Sequence, residues 1–106
     1  MLPDYDQFRR TTWEERIAIF SALSPEEKAE LFRSQVSGWL DRHRAELTPP
    51  QVAILEEAIQ LAVPEIYGAR KTEQLVMRTK DLETRAAALL TRDQVIDALT
   101  MQWGMT

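Results

Sequence analysis

Carboxylates are the most numerous groups in this sequence that could do chemistry. Glu26, Glu27 and Glu30 form one cluster, and Glu56 and Glu57 with Glu65 form another. Paired carboxylates of this kind can serve acid–base catalysis or hold a metal ion. The first cluster falls just after Ser24-Pro25, in the opening turn of a helix, where negative charge complements the macrodipole. The second lacks the Glu-x-x-His companion that di-iron bundles use. The one histidine, His43, lies between Arg42 and Arg44 near a helix end, a position that favours a partly charged imidazole acting as a cap rather than as a base. With no cysteine in 106 residues, disulfides, thiolate zinc sites, iron–sulfur clusters and cysteine nucleophiles are excluded. No serine or threonine sits in a glycine-flanked elbow, and Gly38, Gly68 and Gly104 are too scattered for a phosphate-binding loop. The reading therefore assigns no catalytic residue, no cofactor and no metal ligand, and the protein is not expected to be an enzyme.

Two other groups of residues could bind rather than react. Arg70, Lys71, Arg78, Lys80, Arg85 and Arg92 gather in the last third, and a helix-turn-helix can be drawn from Thr72 to Met101, with Thr91 opening a recognition helix. That helix would carry Asp93 and Asp97 toward phosphates, which weakens the idea of a DNA-binding regulator. Aromatic and methionine side chains form the second group. Trp13, Trp39 and Trp103 are many tryptophans for a short chain. Core placement is the default for all three, with Trp103, beside Gly104, the best candidate for an exception. Met101, Trp103 and Met105 make an apolar peptide suited to a groove on this chain or on a partner. Ile66 and Tyr67, at the corner after Pro64, are a second candidate contact.

The elements that would carry these residues are helices. Ser24-Pro25-Glu26-Glu27, Thr48-Pro49-Pro50-Gln51, Thr91-Arg92-Asp93-Gln94 and Thr12-Trp13-Glu14-Glu15 each place a hydroxyl three residues before Glu or Gln. In such a capping box the hydroxyl accepts from the third backbone N–H while the longer side chain reaches back to the cap's own N–H. Pro25 and Pro49 stand at the first helical position, where the missing N–H costs nothing. A leucine precedes three of the caps (Leu23, Leu47, Leu90) and can pack onto the following turn as a staple.

Apolar residues then recur at helical spacing. The stripes are Trp13, Ile17 and Phe20; Ala29, Phe32, Val36, Trp39, Leu40 and His43; Val52, Leu55, Ala58, Ile59 and Ala62; Leu75, Val76, Thr79, Leu82, Ala86 and Leu89; and Val95, Ile96 and Leu99. Gly38 within the first long helix marks a close crossing. Pro64 ends the next helix, because proline disfavours helical geometry in the residue before it. Thr72 opens the one after. Period-two alternation is absent, as are Asn-Gly and Asp-Gly turns. The expectation is an all-α fold, a compact bundle of three longer antiparallel helices with two or three short ones.

A length of 106 residues fits one domain spanning 1–106, with 101–106 as an exposed or docking tail. Thirteen basic against seventeen acidic residues leave a net charge of −4, which repels polyanions and disfavours nucleic acid as a partner. Divided after Ala53, the halves carry seven bases against nine acids and six against eight, so neither is a basic arm or an acidic tail. The opening residues lack the basic start and apolar run of a secretory signal, and no stretch approaches the roughly 20 apolar residues of a membrane span. A cytoplasmic location is expected.

Trp13-Glu14-Glu15-Arg16, Phe20, Leu23-Ser24-Pro25-Glu26-Glu27-Lys28-Ala29-Glu30-Leu31, Leu47-Thr48-Pro49-Pro50-Gln51 and Pro64-Glu65-Ile66-Tyr67 together resemble the small bacterial proteins called bacteriocin fulvocin C-related, over residues 13–67. That resemblance implies a link to bacteriocins or peptide natural products. The Leu-Thr-x-x-Gln elements are also similar to those of Spy-like periplasmic stress chaperones, which carry export signals. Neither resemblance supplies catalytic residues. The functional expectation is a small helical module that binds another protein or peptide, as an accessory or immunity-type partner, with homodimerisation through its amphipathic helices as one form of it. The alternatives are the helix-turn-helix-like regulator and a helical enzyme with an unseen cofactor.

Overall fold

Local start signals account for most of the secondary structure. The computed structural model describes residues 2–68 and 72–100. Over these the chain forms α1 (Tyr5–Arg9), α2 (Trp13–Ser21), α3 (Pro25–His43), a 3-10 turn (Arg44–Glu46), α4 (Pro49–Leu61), a second 3-10 turn (Pro64–Tyr67), α5 (Glu73–Leu89) and α6 (Arg92–Val95), which runs on as a π-helical turn, Ile96–Thr100. All four expected capping boxes form, at Thr12/Glu15, Ser24/Glu27, Thr48/Gln51 and Thr91/Gln94. A fifth, Asp4/Gln7, opens α1. Thr72 caps α5 by accepting from the Leu75 N–H. Each cap of this kind is worth about 1 kcal/mol, so every α-helix carries a stabilised start of its own.

No strand occurs among the described residues, and the fold is all-α. Three longer helices, α3, α4 and α5, form the bundle, and α1, α2 and α6 are short. The α4–α5 register is antiparallel. Gln51, at the start of α4, donates to the Leu89 carbonyl at the end of α5 (2.9 Å), and Glu57 pairs with Arg85 half-way along. The Cα radius of gyration is 13.3 Å, close to the roughly 13 Å of a folded chain of about this length.

The main core joins Phe32, Val36, Trp39 and Leu40 of α3 to Leu55, Ala58 and Leu61 of α4, with Leu82 and Ala86 of α5 and Ala98 closing it. A smaller cluster of Phe8, Phe20 and Leu31 seats α1 and α2 on the start of α3. Burying a Phe or Leu fully contributes about 1.5–3 kcal/mol, so these two clusters supply much of the drive to fold.

Several inward assignments need correction. Trp13 is 41% exposed. The side chains that α2 buries are Arg16 and Phe20, because Arg16 turns back to close the end of α1. Its Nε donates to the Phe8 carbonyl (3.1 Å) and its Nη2 to the Arg9 carbonyl (3.0 Å). Val76, Leu89 and Ile96, expected inside, are 37%, 39% and 39% exposed. On α5 only Leu82 and Ala86 are buried. Ala98, which no stripe included, is fully buried.

Candidate functional site

Between α5 and the second 3-10 turn lies a cavity of about 270 Å³. Proline positions one wall. Pro64 ends the backbone geometry of α4 and starts the 3-10 turn, which swings Ile66 and Tyr67 to the cavity's edge. The floor comes from Phe32 of α3, from Ala58 and Leu61 of α4 and from Ala62 just past its end. These two alanines leave the space that larger residues would fill. Thr79, Leu82 and Ala86 of α5 form the opposite wall, with Glu83 at the rim, and Val95 and Leu99 close the end.

Polar groups here are few. The Thr79 hydroxyl is engaged, donating to the Leu75 carbonyl within its own helix (2.9 Å). The Tyr67 ring packs edge-on against Phe20, with centroids 5.6 Å apart, and so touches both core clusters. Its hydroxyl is buried and has no hydrogen-bond partner among the described residues. Burial pushes the phenol well above its usual range, and the charge of Arg33 only partly opposes this. A phenol that stays neutral and unpaired can donate to an incoming acceptor, and an unmet buried donor costs about 1–3 kcal/mol until it finds one.

Around the cavity α5 exposes apolar side chains. Val76 lies one turn before Thr79 and Leu89 one turn after Ala86 along the same helix, and both are exposed. Met77, at 64%, is the most exposed large apolar side chain among the described residues. Of the residues expected to bind a partner, Ile66 and Tyr67 are thus brought together in one wall. Met101, Trp103 and Met105 lie outside the described residues.

A second polar cluster stands at the other side of α6. Asp97 accepts from Arg9 Nη1 (2.6 Å) and from Trp39 Nε1 (2.6 Å), and its backbone carbonyl accepts from Arg9 Nη2 (2.7 Å). Burial works to raise the Asp97 carboxyl, but the hydrogen bonds from Trp39 and Arg9 outweigh it and hold the group below the usual carboxylate range. His43 stacks on Trp39 with ring centroids 4.3 Å apart, and its Nδ1 is 3.4 Å from a Glu46 carboxylate oxygen. Trp39, which had been read as core, is both buried and hydrogen bonded. Nothing in the sequence linked it to Asp97, because the two are 58 positions apart.

Among the described residues no group of three or more His, Asp or Glu is placed to hold a metal ion, and no helix is long and apolar enough to cross a membrane. Arg85, part of the basic group in the last third, is bound to Glu57 and Asp81. Asp97 of the supposed recognition helix is turned inward onto Arg9 and Trp39. No protein-family model matches the chain, nor does any curated protein or solved structure.

Proposed function

We propose that this protein is a small helical binding module that takes an apolar side chain of another protein or peptide into the cavity between α5 and the Pro64–Tyr67 turn. One observation carries the reading: α5, which walls an apolar cavity of about 270 Å³, also exposes the apolar residues Val76 and Leu89. An apolar pocket for an anchor side chain with a charged residue, Glu83, among its lining resembles the anatomy of a binding hot spot. Tyr67 would add a donor for a partner carbonyl. Met101, Trp103 and Met105 would supply a second contact. The resemblance over residues 13–67 supports placing the partner in a bacteriocin or peptide natural product system, in the cytoplasm, with this chain as an accessory or immunity-type component. A second copy of the chain is one partner that the same face would accept.

The test is co-purification from the native host with the tagged full chain beside two variants. Ala86→Leu fills the cavity, and Val76→Asp charges its border. A partner, or a dimer seen by sedimentation, that is held by the wild type and lost from both variants while their helical circular dichroism persists supports the reading. Equal capture by all three overturns it.

A further inference from the structure

We propose that residues 92–100 form a hinged wall of this cavity, held shut by a polar latch on Asp97, and that release of the latch opens the cavity to its partner. The proposal rests on the reading of the cavity as a docking site.

The hinge is visible in the backbone. Leu90 is extended (φ −110°, ψ 151°) and breaks the helical path after α5. Thr91 then starts α6 with its own capping box to Gln94, so the segment beyond is nucleated independently of α5. The near side of the hinge is fixed, because the Leu89 carbonyl accepts from Gln51 and Leu90 is buried in the main core. Motion at Thr91 would therefore leave α5 in place.

The wall is thin. Val95 and Leu99 line the cavity and are only partly buried, Ala98 is the one fully buried side chain of the segment, and Ile96 faces outward. An alanine methyl and two mostly covered side chains, Val95 and Leu99, give a limited apolar contact. Polar contacts from the segment to the rest of the chain converge, among the described residues, on Asp97. It is bonded to Arg9 of α1 and Trp39 of α3 through three contacts of 2.6–2.7 Å. Charge-assisted bonds of this length are the stronger kind. Asp97 also sits in the π-helical turn Ile96–Thr100, a rare geometry that is frequent at functional sites. A limited apolar contact and one polar clasp make a part that moves as a unit when the clasp is undone.

The experiment is hydrogen exchange on the intact chain, read beside the fluorescence of anilinonaphthalene sulfonate as an apolar probe. In Asp97→Ala the amides of 92–100 should lose at least tenfold in protection, while α3 and α4 amides keep theirs. Probe binding should rise at least threefold, and Ala86→Leu in the same chain should abolish the rise. Arg9→Met breaks the clasp from the other side and should reproduce both effects, which keeps the test decisive if Asp97→Ala fails to fold. Unchanged protection over 92–100, a uniform loss across the whole chain, or local opening without extra probe binding would each overturn the proposal. No partner enters this experiment, so its failure is separate from a failed co-purification.

Discussion

The α-carbon of Gly38 lies against the ring of Tyr5, so close that a β-carbon there would fall 2.7 Å from Tyr5 Cδ2. The ring is held in place by the guanidinium of Arg42, 4.1 Å from its centroid, and by that of Arg9 at 4.8 Å. Gly38→Ala should therefore lose stability by about 1–3 kcal/mol through overpacking, although alanine in an open helix would gain about 1 kcal/mol. In a Tyr5→Gly background, which also removes the Tyr5 Cβ that the new β-carbon would meet at 2.9 Å, the same change should become neutral or stabilising. Urea unfolding of the four proteins measures this, and a destabilisation that is the same in both backgrounds would show that Tyr5 is not the cause.

Arg16 closes the C-terminal end of α1 from a buried position in α2. Arg16→Ala should cost about 2–4 kcal/mol, because it strips partners from buried carbonyls and removes packing over the Phe8 ring. Arg16→Lys should recover less than half of that, since a single ammonium cannot copy the planar fork. Chemical denaturation of both variants provides the comparison, and full recovery by lysine would refute the fork geometry.

Gln35 is fully buried, and neither its amide oxygen nor its amide nitrogen has a hydrogen-bond partner among the described residues. Gln35→Met, of similar shape, should raise stability by about 1–3 kcal/mol. Tyr67→Phe should do the same by a smaller amount while weakening partner binding. It should also change the alkaline limb. The folded phenol titrates above its ordinary value, so as pH rises past about 10 the unfolded chain loses its proton first and wild-type stability falls. Melting temperatures from pH 7 to 11 should show this decline in the wild type and reduce it in Tyr67→Phe.

Asp97 sets the behaviour at low pH. Its folded carboxyl titrates below the unfolded value of about 3.9, so its contribution is complete above that pH and is lost as pH falls through the folded value. The stability gap between wild type and Asp97→Asn should be constant from pH 5 to 7 and narrow below about pH 4. A gap that does not change down to pH 2 would mean that the carboxylate charge is not what holds Arg9.

Trp103→Ala tests the end of the chain. The expected outcome is a weaker complex with an unchanged melting temperature, measured by calorimetry and by pulldown. Loss of the fold would instead identify Trp103 as a core residue.

Helix starts were readable because a capping box is written within four consecutive residues, and the α3 stripe from Ala29 to Leu40 was readable because α3 is covered by several neighbours at once. Exposure on α2 and α5 was not. Trp13 and Val76 have the right spacing for an inward face, but spacing says nothing about whether a neighbour is wide enough to cover that face. Arg16 was hidden for the opposite reason. A charged residue enters the interior only when specific carbonyls await it, and those belong to another helix. Of the site, the Ile66-Tyr67 corner was legible from Pro64, whereas the cavity depends on Ala58, Ala62 and Ala86 meeting in space. The contact of Arg9 with Asp97 joins positions 88 apart, and no local pattern encodes such a pair.

That separation also orders events at the ribosome. Tyr5 can settle on Gly38 once α3 has emerged, and Phe8 can join Phe20 and Leu31 earlier still. Arg9 must wait until Asp97, 88 positions later, has been made before its carboxylate arrives. Of the joints that α1 makes with the described residues, the clasp is then the last to be set during biosynthesis, and until it is, the nascent chain has helices but an unfinished side.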